Sequence, residues 1–158
     1  ERMNCFRCHS GPDFDSPADV DGLVTARHGF FNTGLYNVDG EGAYPEGAEG
    51  LWRETAEPLD MGRFRTPTLR NLEATHPYLH DGTGATLADV LGNYARGGRL
   101  VGAGPYAGDG QTSPTRDPLL TGFEATDDEL YDLEAFLRSL TDWDFLEDPA
   151  FADPWNQD

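Results

Sequence analysis

Both cysteines of this 158-residue chain stand three positions apart with a histidine directly after them, in Cys5-Phe6-Arg7-Cys8-His9. Two thiols at that spacing on a tight turn reach the two vinyl groups of one haem, and the adjacent imidazole falls beneath the iron as its proximal ligand. Thioether formation would remove both cysteines from disulfide chemistry. Three other readings compete. A redox C-x-x-C pair wants a thioredoxin-like βαβ setting, which is absent. A zinc site wants a second ligand pair, and His28, His76 and His80 form none with suitable spacing. The third is chance, since only three residues are fixed. We read a covalent haem c held by Cys5, Cys8 and His9, and hence a periplasmic or extracytoplasmic location, where such haem is attached.

Two helices are available to position chemistry opposite this motif. In the first, Thr86 is an N-cap, Asp89 forms an imperfect capping box with it, and Gly97-Gly98 supplies the stop. Leu87, Val90, Leu91 and Tyr94 recur at helical spacing, so Tyr94 is expected on the inward face. The second helix opens with Thr126 and Glu129 as a full capping box, with Asp127 and Asp128 suiting the dipole of its first turn. Its stripe is Leu130, Leu133, Leu137 and Leu140, with Phe136 beside it. Residues 11–60 are rich in Gly, Pro, Asp and Asn without sustained periodicity and predict a long loop-dominated segment. Asp13, Asp15, Asp19 and Asp21 do not make a calcium loop, because Ala18 and Val24 stand where an EF-hand wants Gly and Glu. No sizeable sheet and no internal repeat is expected.

Composition narrows the function classes. The chain carries 29 acidic residues against 11 basic ones, all arginine, for a net charge of −18. Such a charge repels phosphate backbones and anionic lipid heads, which argues against nucleic acid and membrane surfaces as partners. No apolar run approaches the roughly 18 residues of a membrane span. Leu, Ile, Val and Phe together number 31 of 158, close to the disorder border, yet 9 Phe, 6 Tyr and 3 Trp argue for a folded domain. The expectation is a domain whose own aliphatic core is too small, completed by something else. A porphyrin would give Leu87, Val90 and Leu91 a body to pack on.

The cysteine motif, then Phe31-Asn32-Thr33-Gly34-Leu35-Tyr36-Asn37, Gly62-Arg63-Phe64-Arg65-Thr66-Pro67-Thr68-Leu69-Arg70-Asn71 and Pro77-Tyr78-Leu79-His80-Asp81-Gly82 resemble the C-terminal haem domain of the bacterial dihaem cytochrome c peroxidase and MauG superfamily. Residues 32–45, the Gly104-Pro105-Tyr106-Ala107-Gly108 loop and residues 148–155 look most like its MbnH branch. The resemblance implies a mainly α, cytochrome c-like haem domain with long irregular loops over residues 1–158, ending in a tail at 141–158. It also implies a fragment of a two-domain dihaem protein, with the second haem in an N-terminal half. A small cytochrome c packs a helix from before its haem motif on its last helix. Here only four residues precede Cys5, so the 126–140 stripe is expected to lack its partner and lie bare. The chain opens at Glu1 with no secretory leader, which predicts a processed product.

For the second axial ligand, the resemblance points eight positions beyond Thr86, where the peroxidase branch has methionine and MauG-like proteins have tyrosine. Here it is Tyr94. A buried core tyrosine is the plain alternative, Met61 is the rival ligand, and Met3 lies too near the attachment site. Anionic oxygen ligation favours ferric and higher states, so such a haem holds oxidising equivalents instead of only relaying electrons. The implied reaction uses hydrogen peroxide to oxidise a tryptophan of a partner protein to kynurenine, with Tyr94 as the catalytic ligand. Thr75 and Pro77 match positions whose carbonyls bind calcium between the two haem domains, though a simple turn before Tyr78 explains them as well. Arg70 and His80 resemble groups near the haem or its propionates, and a structural arginine and histidine are equal readings. One departure is Met3, where MauG has a tryptophan that passes electrons to its substrate. Trp52, Trp143 and Trp155 are not assigned to that role. The competing functions are a dihaem cytochrome c peroxidase fed by a donor cytochrome, and a monohaem electron-transfer cytochrome c.

Overall fold

The computed structural model describes residues 3–15, 29–152 and 155. Ala18, Asp19, Asp21, Val24 and His28, used in the calcium and zinc arguments, lie outside them, as does part of the 141–158 tail. Four α-helices run through the described residues: α1 (Trp52–Thr55), α2 (Leu87–Arg96), α3 (Asp127–Arg138) and α4 (Trp143–Leu146). Sheet is confined to two antiparallel ladders of two residues each. β1 (Phe30–Phe31) pairs with β2 (Phe64–Arg65), Phe30 facing Arg65. β3 (Leu100–Val101) pairs with β4 (Gly108–Asp109), Leu100 facing Asp109. The architecture is mainly helical with little sheet and long irregular loops, consistent with a cytochrome c-like domain.

Both long helices start where their caps require. The Asp89 N–H donates to Thr86 Oγ1 at 3.1 Å while the Thr86 N–H donates to Asp89 Oδ2 at 2.9 Å, so this capping box is complete. The Thr126 and Glu129 box is likewise reciprocal. Gly97 takes φ +81° to end α2, a conformation in which a side chain would be strained.

The leucine stripe of α3 is not bare. Leu137 is buried together with Leu87 and Leu91 of α2, and Leu130, Leu133 and Leu140 pack on that cluster with Leu69, Leu72 and Tyr78. The expectation of an absent partner for this stripe is therefore corrected: a helix later than the cysteine motif covers it. For the same reason Leu87 and Leu91 face α3, leaving Val90, half-buried, as the residue of that trio not in this cluster. The large hydrophobic residues that α3 leaves in solvent are aromatic, Tyr131 at 74% and Phe136 at 46% exposure.

The second buried layer has no helix in it. Leu35, Tyr36 and Tyr44 form its apolar part, with Met61, Phe64 and Leu79 packed around them. Its centre is polar: the Asn32 side chain, fully buried, donates to the Met61 carbonyl at 2.8 Å and to Thr115 Oγ1 at 3.1 Å. Its Oδ1 accepts from the Gly34 N–H at 2.8 Å and from the Tyr44 hydroxyl at 2.6 Å. Irregular backbone cannot satisfy its own amides and carbonyls, so a side chain with donors and acceptors does it here. Burial pushes the Tyr44 phenol up to about 12, which keeps it a donor to Asn32. Gly34 and Gly110 meet so closely that a Cβ at Gly110 would overlap the Gly34 carbonyl oxygen.

Candidate functional site

The cysteine motif forms a 3-10 turn at Cys5–Arg7. The Cys8 and His9 N–H groups both donate to the Cys5 carbonyl, at 3.2 and 2.9 Å, folding the histidine back under the first thiol. Both thiols are free, and no disulfide joins them. Burial raises the Cys5 thiol, and burial with the charges of Asp117 and Cys5 pushes Cys8 up to about 12. A redox-active pair needs a depressed thiol, so this environment disfavours disulfide exchange.

His9 is oriented through its other ring nitrogen. Nδ1 lies 2.8 Å from the Phe14 carbonyl, which can only accept, so Nδ1 carries the hydrogen and Nε2 keeps its lone pair. Burial lowers the His9 pKa and favours this neutral form. The loop that supplies Phe14 is held from behind: Thr68 Oγ1 donates to the Asp13 carbonyl at 2.5 Å. Arg70 donates from Nε and Nη2 to the Pro12 carbonyl at 3.1 and 3.0 Å and pairs with Asp13 at 3.0 Å. Arg70 thus acts on His9 through the loop, and its guanidinium is committed there.

Tyr94, in the last turn of α2, is half-buried beside a small hollow that it lines with Thr33, Leu35, Leu79, Asn93 and Arg99. Burial pushes its phenol up to about 12, and charge on Cys8 and Cys5 reaches it. Tyr94 therefore shares one region of the molecule with the two thiols. Arg99, on the hollow's rim, lies over the Tyr36 ring at 4.4 Å and pairs with Asp81 at 2.9 Å. The Tyr36 hydroxyl donates to Asp81 Oδ2 at 2.6 Å, and the Arg99 Nη1 contacts Thr83 Oγ1. Burial works against the Asp81 carboxylate, yet hydrogen bonds from Tyr36 and Thr83 and the Arg99 charge hold its pKa below the usual value. This network ties the Pro77-to-Gly82 stretch to the segment that carries Leu35.

The other expected residues have the following surroundings. His80 is exposed and stacks on Phe64 at 3.8 Å. Thr75 and Pro77 are exposed, with the Thr75 hydroxyl donating to the Leu72 carbonyl at 3.0 Å. Met61 packs in the Leu35, Tyr36 and Tyr44 cluster, with its carbonyl taken by Asn32. Among the described residues, no group of three or more His, Cys, Asp or Glu side chains could hold a metal ion. A groove of about 540 Å³ is lined by Phe14, Arg70, Leu140 and Trp143 among others, but by neither thiol, His9 nor Tyr94. The donor atoms, not this volume, mark the candidate site. Arg116 and Asp117 were not singled out by the sequence. Asp117 is buried, pairs with Arg63 at 3.1 Å and acts on the Cys8 thiol. Only an Arg-Asp step between two prolines marks them in the sequence, and it has no period.

Known proteins resemble this chain. The fold superposes on the crystal structure of "a MauG-like protein associated with microbial copper homeostasis" with a TM-score of 0.88 and 43% identity, covering 98% of this chain and 44% of that one. The chain belongs to the dihaem cytochrome c peroxidase and MauG superfamily. Within that superfamily it matches cytochrome-c peroxidase IdrP1 of Denitromonas iodatirespirans at 28% identity, over 89% of this chain and 37% of that protein. It also matches the methylamine utilization protein MauG of Methylorubrum extorquens at 35% identity, over 49% of this chain and 18% of that protein. No family model matches the chain. The chain spans less than half the length of these superfamily members. Membership implies covalent haem c, and the residues present fit it: two free thiols on one turn, an imidazole with one nitrogen held and the other available, and a phenol in the same region.

Proposed function

We propose that this chain is the haem-bearing C-terminal part of a MauG/MbnH-like dihaem enzyme that uses hydrogen peroxide to oxidise a tryptophan of a partner protein to kynurenine. Cys5 and Cys8 would hold the haem c, and His9 Nε2 and Tyr94 would ligate its iron. Haem supplies the redox chemistry, and an anionic oxygen ligand biases its iron toward oxidised states. The residues of this chain do the rest. Phe14 fixes the His9 tautomer, Thr68 and Arg70 hold the loop that carries Phe14, and α2 carries Tyr94. A second haem, held by the remainder of the protein, would supply the site for peroxide. Thr75 and Pro77, both at the surface, offer carbonyl oxygens for a calcium ion against that remainder. Haem c attachment places the protein in the periplasm or another extracytoplasmic compartment, and among the described residues no helix is long and apolar enough to cross a membrane.

The observation that carries this reading is Tyr94 within electrostatic reach of both thiols on an α2 whose register is set by a complete cap. Replacing Tyr94 by Phe in the full-length haem-loaded protein is expected to convert the ferric low-spin spectrum to a different ligation state. An unchanged spectrum sinks the ligand assignment. A second reading, a cytochrome c peroxidase fed by a donor cytochrome, is favoured by the IdrP1 relatives, which span 89% of this chain. Rapid peroxide-dependent oxidation of reduced cytochrome c supports it. Peroxide-dependent mass gain on a tryptophan peptide, without cytochrome oxidation, supports the first.

A further inference from the structure

Arg116 differs from the other arginines at the ends of its side chain. Arg63 pairs with Asp117, Arg96 with Asp109, Arg99 with Asp81, and Arg138 with Glu73 and Glu134. At Arg116, Nε and Nη1 are both shut off from solvent, and neither has a hydrogen-bond partner among the described residues. A guanidinium cannot shed its proton to escape this, and buried donors left without an acceptor are costly. Such a group is therefore kept for an anion that the polypeptide around it does not supply. The adjacent carboxylate does not serve, because Asp117 gives its Oδ2 to Arg63 and its Oδ1 to the Leu119 N–H.

The position of Arg116 says which anion. Its Cδ packs on Gly34 so tightly that a Cβ there would lie 3.0 Å away, so the side chain runs along the Gly34 backbone. Thr33 and Leu35, on either side of Gly34, line the hollow with Tyr94. Arg116 thus stands beside the hollow that Tyr94 lines. We propose that Arg116 is a carboxylate-binding residue that takes a propionate of the haem. The proposal rests on the assignment of Cys5, Cys8, His9 and Tyr94 above. An ionised propionate satisfies the orphaned donors by charge-assisted hydrogen bonds, and the guanidinium in turn compensates the propionate charge near the iron.

The test uses the full-length haem-loaded protein, with R116Q and R116K beside the wild type. Pyridine haemochrome and intact mass report thioether-bound haem, and the ferric spectrum reports axial ligation. In R116Q the midpoint potential is expected to fall, because an uncompensated carboxylate stabilises ferric iron. The propionate bending band in resonance Raman is expected to shift. R116K keeps the charge but not the fork, so the band shifts while most of the potential is retained. If R116Q does not accumulate, R116K and the wild-type band alone decide, and a wild-type band typical of a propionate bound only by water overturns the proposal. So does an R116Q protein with native ligation, unchanged potential and unchanged band. Loss of stability with an unchanged band points to an acidic side chain as the partner and also overturns it. A wild type without thioether-bound haem fails at the earlier step and overturns the site assignment itself.

Discussion

The leucine contact between α2 and α3 and the loop layer around Asn32 are both buried, yet one is held by apolar area and the other by hydrogen bonds. In the first, the amides past each capped first turn have their partners inside the helix, so the contact needs only complementary leucines: Leu87, Leu91 and Leu137, with Leu130, Leu133 and Leu140 at the margin. In the second the backbone follows no ladder, and its polar groups must be met one at a time. Asn32 meets four partners, and Asn37 donates to the Asp109 carbonyl at 2.9 Å and accepts from the Gly42 N–H at 2.8 Å. The two layers also differ in what they support. The helical layer sets the register of the helix that carries Tyr94, and the loop layer supports the hollow into which Tyr94 faces.

The comparison breaks most visibly at its polar centre. Asn32→Leu keeps the volume but leaves the Met61 carbonyl, the Gly34 N–H and the Tyr44 O–H unmet, while the Thr115 hydroxyl keeps Ser113. At about 1–3 kcal/mol for each buried group left unmet, the loss should reach at least about 3 kcal/mol. Urea unfolding of the haem-loaded protein measures it, and a loss under about 1 kcal/mol would show that water replaces the side chain. In the helical layer, Leu87→Ala, at 2% exposure, should cost about 3 kcal/mol by lost transfer energy and the cavity it leaves. Since Leu87 faces α3 and not the thiols, the ferric spectrum of that variant should stay native. A changed spectrum would show that the two layers are coupled through α2.

The same difference explains what could be read in advance. Helices α2 and α3 were legible because period, cap and stop agree over a dozen residues, and the haem motif because its chemistry is local to five. What covers the α3 stripe was not legible: an apolar face reveals that it is buried, not by what. Leu87 and Leu91, which helical spacing offers to a porphyrin, pack against that stripe. The loop layer was less legible still. Asn32 and Thr115 are 83 positions apart, Asn37 and Asp109 are 72 apart, and no periodicity links such pairs. Arg116 follows the same rule, since an orphaned donor exists only once the chain has closed around it.

Two smaller effects sharpen the contrast between a helix that supplies its own bonds and a loop that borrows them. Thr126→Ala removes the oxygen that accepts the Glu129 N–H and should cost about 1 kcal/mol, read as a lower unfolding midpoint, with no change at the haem. An unchanged midpoint would mean that the leucine contact alone sets this helix.

The smallest effect is expected where α2 meets β4, at the Arg96 and Asp109 pair, with two contacts of 2.7 Å, each side chain about one-third exposed. Hydrogen bonds from Arg96 hold the Asp109 carboxyl below its ordinary 3.8, against a smaller opposing push from burial. A carboxylate with a depressed folded pKa adds stability that is fully present above the unfolded value and is lost as pH falls through the folded one. The contribution of this pair should therefore be constant at neutral pH and fade only below about pH 4. Solvent screening keeps it small. Asp109→Asn should flatten that acid limb of a stability-against-pH curve while barely moving its neutral plateau. A variant that instead loses stability equally at every pH would show that Asp109 matters through the Gln111 N–H it caps, at 2.9 Å, and not through its charge. The bond to the loop would then outweigh the ion pair to the helix.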